Sequence, residues 1–389
     1  MKNSWESWSE QRVADFQQVF LKWYEEEHRN LPWRADQNPY RIWISEIMLQ
    51  QTRVDTVIGY FYRFMERFPT IQALAQAEDE VLLKTWEGLG YYSRARNLKI
   101  AAQQIVEKFD GKMPGNLADI QSLKGIGPYT SGAIASIAFG LPEPAIDGNV
   151  MRVTSRLFEI DADIAKSSSR KIFDEAMRKI ISHEFPGEFN QAMMDLGSAI
   201  CTPTSPSCNI CPIQSFCVSY AEGTQLHFPV KSKKMKAKPM YYLAFAAKDE
   251  DGAYYLEQRP DTGLLANMWT FPLVEVSKER YTELSQHSEH GLNKEFSLPN
   301  EIAETVWQTK PTGEITHIFS HLKWHILVYE GIKQAREDFT VAESLEKYNE
   351  NNVRWVTGTD FQTLVFPKPQ IKMWDLLKKH SDKITDYQS

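Results

Sequence analysis

Up to about residue 225 the apolar residues of this chain recur at helical spacing, and after about residue 240 short runs rich in β-branched and aromatic residues replace them. A change of period predicts two differently built units, and 389 residues are enough for each to bury its own core. Helical spacing runs through Val13 to Trp23, Ile42 to Phe64, Val81 to Leu89, Leu98 to Phe109, Gly132 to Ala138, Ile172 to Ile181 and Gln191 to Ile200. Clusters of Pro, Gly and Asn/Asp separate these stretches, so an all-α first domain over residues 1–225 is expected. Runs at 240–247, 253–259 and 315–329 read as strands, and Ile371 to Lys379 as a closing helix, which predicts an α+β domain over 240–375 and a tail over 376–389.

Between the two units lies VKSKKMKAKP, with five lysines and no acid. Residues 226–239 therefore read as a basic linker, near a phosphate backbone or simply solvated. The whole chain carries −7, which argues against indiscriminate nucleic-acid binding. No run reaches the length of a membrane span, and the polar start has no signal-peptide apolar core; a cytoplasmic protein is expected.

Within the first unit, Leu123 to Arg152 holds a short turn with two glycines, Gly125 and Gly127, directly before a segment of small and apolar residues. Both glycines can take positive φ, so their N–H groups can converge on an anion at the start of the following helix. A phosphate is the natural guest, and a plain tight turn the alternative. Four cysteines, Cys201, Cys208, Cys211 and Cys217, all fall in one Pro-punctuated loop with spacing C-x6-C-x2-C-x5-C. Clustered thiols in a cytosolic protein read as a metal or iron–sulfur site; on chemical grounds four thiolates suit zinc equally well.

Two acids stand out. Glu46 has Ile42, Trp43, Leu49 and Gln50 one helical turn away, so apolar surroundings can raise its pKa and keep the proton a general acid needs. Asp147 follows an apolar pair and precedes a new helix, where N–H groups favour its charged form. One acid kept protonated and one kept ionised is the pairing that breaks glycosidic bonds.

Together these residues resemble the helix-hairpin-helix DNA glycosylases of the endonuclease III superfamily, and among them the MutY-type adenine DNA glycosylases. The resemblance rests on LPWR (31–34), the Glu46 helix ending in QQTR (50–53), GLGYYSRAR (88–96), the glycine hairpin, IDGNV (146–150) and the cysteine loop. It implies a multidomain protein: an all-α helix-hairpin-helix glycosylase domain with an iron–sulfur loop, followed by an α+β Nudix-like domain. It further implies a [4Fe–4S] cluster on the four cysteines, Glu46 as the acid that protonates adenine, and Asp147 as the carboxylate that stabilises the sugar cation. Tyr129 stands where strand-cleaving relatives carry lysine; a phenol cannot form the Schiff base that leads to scission. Asn149 is placed at the same site. Gln51 and Tyr91, with Thr52 and Leu89 beside them, match duplex-inserting positions, while Arg34, Arg94 and Arg96 are candidate phosphate or pocket contacts. The target adenine must leave the stack to be reached.

In the second unit, residues 263–275 resemble the start of a Nudix fold, but SKERYTELS lacks the paired glutamates of the metal motif, so pyrophosphatase activity is not expected. By the same resemblance, Phe319, Ser320 and His321 form a recognition loop for 8-oxoguanine, with Ser320 contacting the damaged base. The expected reaction is hydrolytic removal of adenine opposite 8-oxoguanine or guanine in duplex DNA by a monomer. The alternatives are a bifunctional glycosylase and AP lyase, disfavoured by Tyr129, and a noncatalytic iron–sulfur DNA-binding protein, disfavoured by the two acids.

Overall fold

The computed structural model describes residues 4–232, 236–289, 291–334 and 352–386. The chain divides into two compact units, Met1–Lys233 and Lys234–Ser389.

The first unit is helical: α1 (Glu10–Glu27), α2 (Pro39–Leu49), α3 (Val54–Arg67), α4 (Ile71–Ala75), α5 (Asp79–Trp86), α6 (Ser93–Lys108), α7 (Leu117–Ser122), α8 (Pro128–Phe139), α9 (Gly148–Phe158), α10 (Arg170–Ile180), α11 (Pro186–Asp195) and α12 (Val218–Ala221). Local chemistry sets several starts. The Asn38 side chain accepts from the N–H groups of Tyr40 and Arg41 to open α2, and Asp147 accepts from Asn149 and Val150 to open α9. A buried cluster joins Phe16 and Phe20 of α1, Val150 and Leu157 of α9, Phe173 and Met177 of α10, and Phe189 and Met193 of α11.

The single helical stretch expected over Ile42 to Phe64 is instead two helices. The chain breaks at Gln50–Arg53, where Gln51 takes a φ of 59°. Apolar periodicity runs unbroken across so short a loop, because both helices bury a face; only backbone geometry reveals the break. The basic linker also differs from a free tether at both ends. Ile164 donates to the Val230 carbonyl at 3.0 Å, Ser232 N–H donates to Asp163 at 3.1 Å, and the first strand already begins at Lys238. Residues 233–235 of that segment lie outside the described residues.

In the second unit β1 (Lys238–Lys248), β2 (Tyr254–Gln258), β3 (Trp269–Thr270), β4 (Leu273–Val276), β5 (Thr305–Trp307), β6 (Gly313–Ile318), β7 (Leu322–Lys333) and β8 (Val353–Val356) form one mixed sheet in the order β3-β2-β1-β7-β5. β4 also pairs with β1, β6 with β7 and β8 with β2. β1 and β7 run parallel, with Tyr242 opposite Ile326, and the remaining pairs are antiparallel. Alternation along β1 splits the core: Ala244 and Ala246 join Trp324, Met373 and Trp374 on one face, while Leu243 and Phe245 join Tyr281, Leu284 and Tyr329 on the other. Tyr281 and Leu284 come from α13 (Lys278–Gln286); a short α14 (Leu292–Glu295) follows it. Met373 and Trp374 belong to α15 (Lys368–Asp386), which continues through most of the segment expected to be a tail; residues 387–389 lie outside the described residues. Among the described residues no helix is long and apolar enough to cross a membrane.

Candidate active site

A cavity of about 420 Å³ in the first unit has Glu46, Tyr129, Asp147, Asn149, Arg34 and Thr52 among its lining residues. Residues far apart in sequence meet there because α2, α8 and α9 pack around it.

Glu46 is 4% exposed. Burial raises its carboxyl to about 7, opposed by a hydrogen bond from the Tyr129 phenol to Oε2 at 2.6 Å and by the charge of Arg34. From the sequence Asp147 is expected to remain ionised, because the N–H groups at the start of α9 favour its charge. Burial moves it the other way, upward, against backbone bonds from Val150 at 2.7 Å and Asn149 at 2.9 Å, the Arg152 charge and the Asn149 side-chain amide at 3.1 Å. The two acids still differ in kind. Three donors reach the Asp147 carboxylate and one reaches Glu46.

Arg34 does not have a free guanidinium to offer a phosphate. Its Nη1 donates to Asp195 Oδ2 at 2.7 Å and its Nη2 to Oδ1 at 3.1 Å, and Arg29 pairs with the same carboxylate. Its position is the pocket wall, where its charge acts on Glu46. Arg94 is likewise no phosphate contact: it is buried and donates only to main-chain carbonyls. Arg96 is half-buried within the field of Asp79. Leu89 is 7% exposed, whereas Gln51 is exposed and Tyr91 is 47% exposed. Thr52 lines the cavity, its N–H bonded to the Leu49 carbonyl at 3.2 Å.

At the hairpin, Gly125 takes a φ of 78°, but Gly127 is extended (φ −91°) and is the N-cap of α8, so only the first glycine uses the left-handed freedom expected of both. A Cβ at Gly125 would stand 2.8 Å from Asn97 Cβ, while one at Gly127 would meet nothing within 4 Å. Gly125 is required by the fold; Gly127 keeps an outward surface open.

Sequence reasoning missed Asp195, Arg29 and Arg152. Arg152 donates to Asn149 Oδ1 at 3.0 Å and to the carbonyls of Gly197 and Cys201 at 2.6 and 2.9 Å, which orients the amide that touches Asp147. An acid between apolar residues, as in Met193-Met194-Asp195-Leu196, was the available signal for the first of these.

Cys201, Cys208, Cys211 and Cys217 are free thiols lining one small cavity, reached through a π-helical turn, Leu196–Ile200. The buried Arg156 guanidinium lies 3.3 Å from Cys201 Sγ and also holds the carbonyls of Thr202 and Pro203. A cation beside four thiols suits a site whose ligands bind as anions. Among the described residues no three His, Cys, Asp or Glu side chains gather as they do around one metal ion.

In the second unit, Phe319 joins β6 to β7 and packs 4.9 Å from Trp324 and 4.5 Å from His317 between ring centroids. Ser320 and His321 are exposed at the tip, with Ser320 Oγ 3.3 Å from His321 Nδ1.

Comparison with known proteins agrees with this architecture. Residues 44–179 match the HhH-GPD superfamily base excision DNA repair protein, and residues 243–376 match the NUDIX domain. The chain is similar to an adenine DNA glycosylase of Rattus norvegicus, 34% identical over 95% of this chain and 79% of the relative. It is 39% identical to an adenine DNA glycosylase of Buchnera aphidicola subsp. Baizongia pistaciae over 94% of this chain and 97% of the relative. The structure of a thermostable thymine-DNA glycosylase aligns with 55% of this chain and 98% of its own, at a TM-score of 0.49 and 26% identity. With both units matched and identity sustained over nearly the whole length, the chain belongs to the adenine DNA glycosylase family of base-excision DNA repair enzymes.

Proposed function

We propose that this enzyme removes adenine paired with 8-oxoguanine or guanine by hydrolysis and leaves the strand intact. The observation that carries the reading is the pair of unlike carboxyls on one cavity wall. Glu46 holds a proton near neutral pH and delivers it to the departing base; Asp147, solvated by three donors, carries the negative charge that stabilises the oxocarbenium-like sugar. Asn149, fixed by Arg152, holds Asp147 in place. Water completes the reaction, because the residue beside Glu46 is Tyr129 and no lysine is among the described residues lining the cavity. The adenine is flipped into the cavity, with the exposed Gln51 and Tyr91 filling the gap in the duplex and the Gly125–Gly127 hairpin holding a backbone phosphate.

Ser320 reads the damaged base from the tip that Phe319 anchors. All these groups belong to one chain, so a monomer suffices. Cys201, Cys208, Cys211 and Cys217 hold a [4Fe–4S] cluster, which braces the loop. Support comes from the donor set: four free thiols line one cavity, and the buried Arg156 guanidinium beside Cys201 favours ligands that bind as anions.

The test is a duplex carrying A opposite 8-oxoguanine, analysed with and without alkali. Scission only after alkali is expected. Scission without it assigns lyase activity, and none under either condition assigns a noncatalytic binder.

A further inference from the structure

Arg94 is a buried cation that no carboxylate among the described residues neutralises. It is 9% exposed, and burial lowers its pKa to about 10. Its partners are five carbonyl oxygens, two in the last turn of α2 and three in the loops that follow α2 and α5. Nη1 donates to Ile47, Met48 and Gln50 at 2.7, 3.0 and 2.7 Å; Nη2 donates to Leu89 and Gly90, each at 3.1 Å. The first set includes carbonyls at the C-terminal end of α2, where a positive charge answers the helix dipole. The second lies in the turn between α5 and α6.

Each loop presents one exposed side chain directly beyond its clamped carbonyls, at a backbone angle costly for a residue with a Cβ. Gln51 follows Gln50 with φ 59°, and Tyr91 follows Gly90 with φ 47°. The Arg94 main chain closes the second tip as well, its N–H bonding the Tyr91 carbonyl at 2.9 Å, while the guanidinium sits 5.6 Å from the Tyr91 ring. Other bonds tie each loop to its own side. Trp86 Nε1 donates to Gly90 at 3.1 Å, and Gln50 Nε2 donates to Thr130 Oγ1 at 3.2 Å. Among the described residues, Arg94 donates to both loops.

We infer that Arg94 is the positioning residue that sets the spacing of two insertion tips, Gln51 and Tyr91, so that they enter the duplex as one unit. The inference rests on the reading of those tips as gap-filling groups. Strained backbone kept in place by a shared guanidinium is wedge geometry assembled before DNA arrives, which lowers the ordering cost of unstacking a base. A lysine cannot reproduce it: one ammonium with three donors does not bridge these five acceptors.

The test is a cycle of single-turnover rates on a duplex with adenine opposite guanine, for wild type, Arg94→Lys, the Gln51→Ala/Tyr91→Ala double variant, and all three substitutions together. Arg94→Lys is expected to slow adenine release about tenfold in the wild-type background and less than about twofold once both tips are gone. A second substrate, adenine opposite an abasic site, needs no base pair broken; on it the Arg94→Lys deficit should shrink. A general loss of fold predicts the reverse: equal deficits on both substrates and multiplying effects in the cycle, either of which overturns the inference. If the Gln51→Ala/Tyr91→Ala variant retains full rate, the reading of the tips is what fails. Should Arg94→Lys not fold, Arg94→Gln, whose amide serves one loop, takes its place in the same cycle with the same criteria.

Discussion

The Tyr129 phenol donates to Oε2 of Glu46 at 2.6 Å, so this neighbour tunes the acid. Burial raises Glu46 to about 7, and this bond pulls it down. Tyr129→Phe removes an interaction that favours the charged carboxylate. The alkaline limb of the rate profile should therefore move to higher pH, as read from single-turnover rates across pH. An unmoved limb means the phenol does not set the acid.

Glu46 must carry its proton, so base release should fall as pH rises through about 7. Glu46→Gln should keep duplex affinity and lose base release; full activity in that variant removes the acid from its role. Stability follows the same sign. The native pKa lies above the ordinary 4.5, so the contribution is complete below 4.5 and lost as pH rises through about 7. Relative to Glu46→Gln, the wild type should lose at most about 3 kcal/mol over that window in denaturant titrations.

Asp195 neutralises two arginines, one of them almost fully buried. Asp195→Asn should cost about 2–3 kcal/mol, measured as a fall in Tm and denaturation midpoint, because Arg34 is left charged and unpaired. The pKa of Asp195 is held below its ordinary 3.8 by Arg34 and Arg29 against the opposing effect of burial. Its contribution is therefore whole at neutral pH and lost only in acid, as pH falls through that depressed value.

The hairpin glycines should separate fold from binding. Gly125→Ala meets Asn97 at a positive φ and should lower stability by about 1–2 kcal/mol. Gly127→Ala meets no protein atom within 4 Å and should melt like wild type while binding duplex more weakly, since the added methyl occupies the phosphate's approach. Fluorescence anisotropy with thermal melts distinguishes them; equal affinity for Gly127→Ala and wild type removes the phosphate role.

Ser320→Ala should leave A opposite guanine nearly unaffected and reduce the preference for 8-oxoguanine. The ratio of single-turnover rates on the two duplexes is the measurement, and an unchanged ratio takes Ser320 out of recognition.

Much of this was legible beforehand because local patterns have local causes. The shift of period near residue 230 separated two units, and Asp147 before Gly148 foretold a helix cap, while the four cysteines read as a metal or iron–sulfur site line one cavity. Sequence could not distinguish an exposed Glu46 from a buried one, because that depends on α8 packing against α2 and bringing Tyr129 onto the carboxyl.

What the sequence by itself determined is the inventory: two acids in unlike surroundings, Tyr129 just after the hairpin, a pair of hairpin glycines and four thiols. Tertiary structure decided which charges those groups feel. Arg34 and Arg94 look alike in sequence, yet one neutralises Asp195 and the other gathers carbonyls from α2 and from the loops after α2 and α5. Packing assigns a buried guanidinium its partners, because donors removed from water are stabilised by acceptors, and these can come from elements distant along the chain.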